Sequence, residues 1–215
     1  MNLELQNIHK KIRKNNILND ISLTIEGGKV IGLKGKNGCG KTMLMRTIAG
    51  LLRPTSGKVI INGEELGKDI KFPRSMGILI ENPSFLNGYT GLDNLKILAS
   101  IKGIIGEDEI KSTLEKVGLD PEDRRKYRKY SLGMKQKLGI ACAVMENPDI
   151  VILDEPINAI DQSGVEKVRR ILNDLKEEGK IIIIACHDTE EMELLADEIY
   201  EMEEGCIIGK KINHI

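Results

Sequence analysis

Between two apolar segments the chain reads Gly35-Lys36-Asn37-Gly38-Cys39-Gly40-Lys41-Thr42. This octapeptide matches the pattern G-x-x-x-x-G-K-[ST] of a phosphate-binding loop. A short apolar strand is predicted before it, at Val30–Leu33, and the apolar residues of Met43–Leu52 after it have helical spacing. Strand, glycine-rich loop and helix in this order are the context that the pattern requires, so we expect the fold to be built around a nucleotide phosphate site.

The residue types in the loop suit phosphate binding. Glycines let backbone N–H groups wrap around phosphate oxygens, and a helix N-terminus adds its positive dipole end. Lys41 would bring a positive charge to the β- and γ-phosphates, and the Thr42 hydroxyl would bind Mg²⁺. The alternative, a glycine-rich turn without a ligand, does not explain the flanking strand and helix. The residues assigned to ATP binding are Gly35, Lys36, Asn37, Gly38, Cys39, Gly40, Lys41, Thr42 and Met43.

Downstream of the loop, short strands rich in β-branched residues alternate with amphipathic helices. The predicted strands are Met76–Ile80, Ile150–Leu153, Ile181–Ala185 and a closing strand at Glu198–Met202, and the predicted helices are Val165–Glu178 and Glu190–Ala196. This alternation is typical of a parallel sheet with helices on both faces. The fold class is therefore α/β, with a P-loop NTPase core.

Two other parts of the chain depart from that alternation. Leu3–Ile8, Ile21–Ile25 and Val59–Ile61 alternate between apolar and polar residues, which predicts an antiparallel β lobe beside the core. A long, mostly helical stretch interrupted at Gly103 and Gly106 continues to a helix at Leu132–Met145. We interpret residues 86–146 as a helical lobe inserted into one domain that spans residues 1–215.

Composition narrows the class of partner. The 215 residues carry a formal net charge of −1 and no Trp, which argues against a nucleic-acid binder. The longest apolar run, Ile181–Cys186, is far shorter than the roughly 20 residues of a membrane helix. Met1–Lys11 is polar and has no signal-peptide core. We expect a cytoplasmic protein that meets a membrane only through a partner.

A second motif follows the predicted strand Ile150–Leu153, where Asp154 and Glu155 stand side by side. In P-loop proteins the acid at this strand end holds Mg²⁺, directly or through water. A neighbouring carboxylate can accept a proton from an attacking water. Taken alone, such acids are usually the start of a polar loop. Together with the phosphate loop, they are assigned as the metal ligand Asp154 and the catalytic base Glu155.

Three further segments resemble motifs of one family. Tyr130-Ser131-Leu132-Gly133-Met134-Lys135-Gln136 resembles the ABC signature, normally Leu-Ser-Gly-Gly-Gln, in a variant form. Asn158-Ala159-Ile160-Asp161 resembles the D-loop, and His187 resembles the switch histidine. With the phosphate loop and Asp154-Glu155, their order identifies the chain as a member of the ABC ATPase family over essentially its whole length.

The resemblance implies how these residues act. Ser131 and Gly133 would contact the γ-phosphate bound by the opposite subunit of a head-to-tail dimer, with two ATP molecules in the interface. A homodimer is the expected form. His187 would sense the γ-phosphate and act with Glu155 in catalysis. An ATPase of this kind drives an integral membrane subunit and lies on the inner face of the cell membrane.

Three positions depart from the family pattern. Where an aromatic residue usually stacks on adenine, the alignment places Ile12; where the Q-loop has Gln, this chain has Glu81; and Leu132 replaces a signature Gly. We expect Ile12 to pack on the base without π stacking. We expect Glu81 to bind Mg²⁺ and to be turned away from the site in its absence.

The variant signature, together with Ile80-Glu81-Asn82-Pro83, resembles the branch that exports bacteriocins and lantibiotics or confers bacitracin resistance. The resemblance thus implies export of peptide or drug-like substrates. The alternatives are an importer ATPase, a soluble ABC ATPase acting on DNA or ribosomes, and a regulatory module with a decayed site. The chain lacks the long coiled-coil insertion or second cassette usual in the soluble class. Lys41, Asp154, Glu155 and His187 are all present, which argues against decay.

Overall fold

The computed structural model describes residues 1–186 and 189–213. The strands in this part of the chain are β1 (Asn2–Ile12), β2 (Asn15–Glu26), β3 (Lys29–Lys34), β4 (Ser56–Ile61), β5 (Glu64–Glu65), β6 (Met76–Leu79), β7 (Ile150–Asp154), β8 (Ile181–Cys186), β9 (Glu198–Glu203) and β10 (Cys206–Ile212). The α-helices are α1 (Lys41–Ile48), α2 (Gly91–Lys102), α3 (Glu107–Val117), α4 (Leu132–Val144), α5 (Gln162–Glu177) and α6 (Thr189–Leu195). A short 3₁₀ turn, Tyr127–Lys129, precedes α4. Among these elements, no helix combines the length and the hydrophobicity needed to cross a membrane.

The main sheet has the strand order β10-β9-β3-β8-β7-β6. From β9 to β6 every neighbouring pair is parallel, which confirms the α/β prediction. Asp154 at the end of β7 is paired with Ala185 of β8, and Lys34 at the end of β3 is paired with Cys186. The carboxyl ends of β3, β8 and β7 therefore lie along one edge of the sheet, where ligands bind in open α/β folds.

Both faces of this sheet are buried, which explains the uninterrupted isoleucines of β8. Successive side chains of a strand point to opposite faces. Ile182 and Ile184 belong to an apolar cluster with α4, α5 and α6, whereas Ile181 and Ile183 pack with α1 and the second sheet. Neither face is left for solvent, so each needs a covering layer.

The second sheet covers one of these faces. Its order is β2-β1-β4-β5, and every pairing is antiparallel, as predicted. The strands are longer than predicted, because polar residues continue the β1–β2 hairpin as far as Ile12 and Asn15. Leu3, Leu5 and Ile8 of β1 point into the cluster that contains Leu44 and Met45 of α1. The β lobe thereby holds the helix that follows the phosphate loop.

The helices α2, α3 and α4 lie between β6 and β7 in the chain. Gly103 ends α2 and Gly118 ends α3, each in the left-handed conformation (φ 65° and 80°) that glycine adopts without a Cβ penalty. Buried residues of all three helices, among them Leu95, Ile110 and Leu138, belong to the same cluster as one face of the main sheet. The helical stretch is therefore packed continuously onto the core.

Two sequence predictions are corrected by the structure. β9 is not the last strand of the sheet, because β10 follows it and pairs with it in antiparallel orientation. The residues Cys206–Ile212 lack a clear alternation and are mostly exposed, so the sequence gives little sign of this edge strand. Helix α1 ends at Ile48 rather than Leu52, because Gly50 turns the chain in the left-handed conformation at φ 74°.

The contact between β6 and α4 depends on Gly77. A Cβ added there would lie 1.6 Å from the carbonyl oxygen of Ala143 in α4. We predict that Gly77→Ala destabilises the protein by about 3 kcal/mol, because the helix has to move away from the sheet. Urea unfolding followed by circular dichroism measures this, with Gly88→Ala as the control, since a Cβ at Gly88 meets no atom within 4 Å. Equal stabilities of the two variants would contradict the predicted contact.

Candidate functional site

The phosphate loop connects β3 to α1 through glycines that other residues could not replace. Gly40 caps α1 at φ 113°, and a Cβ there would lie 3.0 Å from the carbonyl oxygen of Ile17. A Cβ at Gly35 would lie 2.3 Å from the carbonyl oxygen of Met202 in β9. The loop is thus fixed by close backbone contacts on both sides, which preorganises it before any nucleotide arrives.

Lys41 is held inside this loop. Its side chain is almost fully buried, with 6% of the residue exposed. Its ammonium group donates to the carbonyl oxygens of Gly35 at 2.5 Å and Lys36 at 3.3 Å. The charge is therefore already located where phosphate oxygens would meet the loop.

Thr42, the next residue, connects α1 to β7. Its hydroxyl donates a hydrogen bond of 2.8 Å to Asp154 Oδ2. Burial of Asp154 raises the pKa of its carboxyl group, and the Glu155 and Glu81 charges act in the same direction, against the Thr42 hydrogen bond and the Lys41 charge. A divalent cation would relieve this repulsion between carboxylates.

The donor set fits Mg²⁺, which prefers hydroxyl, carboxylate and phosphate oxygens and seldom occupies an all-protein cage. In the described residues, no three His, Cys, Asp or Glu side chains are grouped so as to hold a metal by themselves. Thr42 and Asp154 supply two adjacent oxygens. The remaining ligands would come largely from the nucleotide and water.

Glu155 lies directly after β7 in an unusual backbone conformation. Its φ of 51° is left-handed, which is uncommon for a residue other than glycine. Its backbone N–H donates to the carbonyl oxygen of Ala185 at 2.8 Å, and its own carbonyl accepts from Gln136 Nε2 at 2.8 Å. These bonds from β8 and α4 fix the backbone that carries the carboxylate.

Part of the loop and the acidic pair share one depression of about 240 Å³, whereas Gly35, Lys36 and Cys39 line another cavity against β9. The depression is lined by Ile17, Asn37, Gly38, Gly40, Lys41, Thr42, Met43, Asp154 and Glu155. Ile17 is the one member that the sequence analysis missed, because its contact with Gly40 joins β2 to a distant loop and leaves no local pattern.

The predicted signature segment lies at the start of α4. Ser131 caps α4, with its Oγ accepting from the Met134 N–H at 3.2 Å. Gly133 packs so closely on the carbonyl oxygen of Ala159 that a Cβ would come within 2.5 Å of it. Neither Ser131 nor Gly133 lines the depression around the phosphate loop.

The segment around Ala159 is tied to α4 by a second contact. Lys137 pairs with Asp161 at 2.8 Å, and this hydrogen bond, with a further one from Ser163, lowers the pKa of the Asp161 carboxyl group to about 2. The predicted signature and D-loop thus form one packed unit, and its residues do not line the depression around the phosphate loop.

The predicted adenine contact and the predicted Q-loop residue do not line the depression. Ile12, 41% exposed, ends β1 and does not line it. Glu81 follows β6, does not line it either, and pairs with Arg46 of α1 at 2.6 Å. His187 lies outside the residues that the structure describes.

This combination of fold and motifs has a counterpart among known proteins. Residues 18–158 match the sequence profile of the family described as ABC transporter. The chain belongs to this family.

Several curated relatives match over nearly the whole chain. It is 48% identical to the uncharacterized ABC transporter ATP-binding protein YybJ of Bacillus subtilis, over 94% of this chain and 93% of the relative. It is 40% identical to the bacitracin transport ATP-binding protein BcrA of Enterococcus faecalis, over 96% and 68%. It is also 40% identical to the lantibiotic transport ATP-binding protein SrtF of Streptococcus pyogenes, over 97% and 90%.

Solved structures agree on the fold. The ATP-binding cassette MJ0796, in a dimeric post-hydrolysis state bound to ADP and Pi, superposes with a TM-score of 0.88 at 22% identity and 99% coverage of both chains. The predicted ABC ATPase architecture is thereby confirmed.

The Lys137–Asp161 pair can be tested by titration. We predict that Lys137→Met raises the pKa of Asp161 from about 2 toward its ordinary value of 3.8, because the hydrogen bond from Lys137 is the largest cause of its depression. Carboxyl ¹³C NMR measures this pKa directly. Because the pKa of Asp161 in the folded protein is below its ordinary value of 3.8, the ionised carboxylate stabilises the fold at pH values above 3.8. This contribution is lost as the pH falls toward about 2. The stability of Lys137→Met should therefore depend less on pH in that window than the stability of wild type. Lys135→Met is the control on the same helix, and an unchanged Asp161 pKa in Lys137→Met would contradict the pairing.

Proposed function

We propose that this chain is the ATP-binding and hydrolysing subunit of a transporter, and that it drives a separate membrane subunit in the export of peptide or drug-like substrates. The observation that carries the proposal is the one depression that Lys41, Thr42, Asp154 and Glu155 all line. Hydrolysis of a nucleotide needs a phosphate cradle, a metal ligand and a base, and these residues supply one of each.

Each residue has a defined part in the reaction. Lys41 binds the β- and γ-phosphates, while Glu155 orients the attacking water and accepts its proton. A bond forms between the water oxygen and the γ-phosphorus as the bond to the bridging oxygen breaks, which yields ADP and phosphate. When bound, Mg²⁺ neutralises charge on the phosphates. Thr42 and Asp154 would hold it, and Glu81 is a third candidate ligand.

The reaction needs a second chain. Ser131 caps a helix whose N-terminus favours negative charge, yet it does not line the depression of its own chain. A head-to-tail homodimer brings Ser131 and Gly133 of each chain to the γ-phosphate of the other. The dimeric cassette MJ0796 bound to ADP and Pi supports this arrangement. His187 is proposed as the γ-phosphate sensor.

The choice of an exporter rests on the bacitracin and lantibiotic transport relatives at 40% identity. Because the described residues contain no helix able to cross a membrane, we assign that task to a partner subunit and place this chain on the cytoplasmic side of the membrane. No nucleic-acid partner is proposed, given the net charge of −1.

Removal of the base separates ATP binding from hydrolysis. We predict that Glu155→Gln still binds Mg-ATP and accumulates as a dimer, while its turnover falls by at least about 100-fold, because general-base catalysis supplies a factor of that size. Light scattering after size-exclusion chromatography, run with and without Mg-ATP, detects the dimer, and phosphate release measures turnover. Glu166→Gln, an exposed change on α5, should behave as wild type. Hydrolysis at the wild-type rate in Glu155→Gln would remove Glu155 from this role.

The base contact of Ile12 is testable by restoring an aromatic ring. Ile12→Tyr should tighten ATP binding by about 0.5–1.5 kcal/mol, or about two- to tenfold, because the ring adds a stacking contact. Isothermal titration calorimetry compares it with Ile101→Tyr, which places the same ring on an exposed site of α2. If both variants bind ATP like wild type, Ile12 does not contact the base.

A further inference from the structure

An ion pair joins the phosphate-loop helix to the segment that follows β6. Arg46 lies four residues after Thr42 on α1, and therefore on the same face of the helix. Its guanidinium group donates to Glu81 Oε1 at 2.6 Å. The two side chains are 36% and 62% exposed, so both remain accessible to solvent and to competing ligands.

The carboxylate of Glu81 belongs to a crowded set of negative charges. Its charge and that of Glu155 both raise the pKa of Asp154, so all three acids lie within electrostatic reach of one another. Arg46 contacts Glu81 directly and brings a positive charge to it. The pair thus offsets part of the repulsion that accompanies a carboxylate at this position.

The backbone at Glu81 is also strained. Its φ of 64° lies in the left-handed region, which costs free energy for any residue with a Cβ. The ion pair is positioned to hold the residue in this conformation.

The segment after Glu81 is anchored to the helical stretch. The Tyr127 hydroxyl donates to the carbonyl oxygen of Pro83 at 2.7 Å. Gly139 of α4 lies so close to Pro83 that a Cβ on the glycine would come within 2.9 Å of the proline ring. A movement of Glu81 relative to α1 would therefore be transmitted to α4, the helix that carries Ser131.

We propose that Arg46 is a positioning residue that holds Glu81 when no Mg-nucleotide is bound, and that the metal competes with Arg46 for the Glu81 carboxylate. Nucleotide binding then exchanges a contact with α1 for a contact with the metal and releases the segment from β6 to α2. This inference rests on the proposed function, because it assigns a metal-dependent contact to the same site.

The test measures how much Mg²⁺ is needed for binding of a fluorescent ATP analogue, mant-ATP, to the full chain. Arg46→Gln removes the competing cation, so the half-saturating Mg²⁺ concentration should fall about two- to fivefold, the range expected for an exposed ion pair. Arg46→Lys keeps a charge and should lie close to wild type. In a Glu81→Gln background, Arg46→Gln should change nothing, since the carboxylate for which the two cations compete is absent.

The chain offers a matched control. Arg74 pairs with Glu64 at 2.5 Å in a second exposed arginine–glutamate contact, one that does not line the depression. Arg74→Gln should leave the Mg²⁺ requirement unchanged. Thermal unfolding confirms that each variant is folded, and Arg46→Leu replaces Arg46→Gln if the latter does not fold.

Two results would overturn the inference. One is a Mg²⁺ requirement in Arg46→Gln equal to that of Arg74→Gln or greater than that of wild type. The other is an equal effect of Arg46→Gln with and without the Glu81 carboxylate, which would mean that Arg46 acts on the nucleotide itself. If wild type binds no mant-ATP in the presence of Mg²⁺, the proposed function fails and this inference fails with it.

Discussion

The hydrogen bond between Thr42 and Asp154 is the interaction on which the site depends, because it joins two strands that are not neighbours. β3 leads into the phosphate loop and β7 ends at Asp154, with β8 between them. Two strand spacings separate β3 from β7 by about 10 Å. The loop ends at the start of α1, where the Thr42 hydroxyl meets the Asp154 carboxylate from the end of β7. Parallel pairing makes this possible, since it gathers the carboxyl ends of all three strands at one edge.

Burial on both faces of the sheet then fixes what surrounds the site. One face is covered by α1 and the β lobe, and the other by α4, α5 and α6. The signature helix α4 therefore packs against the sheet that carries Glu155, and Gln136 bonds to the Glu155 carbonyl. Lys137 joins the same helix to Asp161. In the proposed dimer, the surface offered to the partner's nucleotide is thus connected through α4 to Glu155, the proposed catalytic base.

The sequence predicted those parts of the molecule that have a local signature. The phosphate loop has fixed spacing, the isoleucine-rich strands have no polar face, and Gly103 stops a helix where the apolar pattern breaks. Edge strand β10 was not predicted, because its side chains are mostly exposed and it is held by pairing with β9 rather than by packing in the core. The roles of Ile17 and Arg46 were not predicted for a related reason. Their importance comes from contacts with Gly40 and Glu81, which are distant in sequence, and nothing in the residues on either side distinguishes them.

The effect of Glu81, which departs from the family pattern, depends on the charges around it. A glutamine at this position would be neutral and would need no counter-charge beside Asp154 and Glu155. A carboxylate adds a third negative charge, whose repulsion grows as the site is desolvated. Arg46 of α1 forms an ion pair with this carboxylate, one helical turn after Thr42, whose hydroxyl contacts Asp154. The substitution at position 81 is therefore compatible with an intact site because α1 presents a cation to it. The same contact makes the position of Glu81 sensitive to any competing positive charge, which an amide would not be to the same degree.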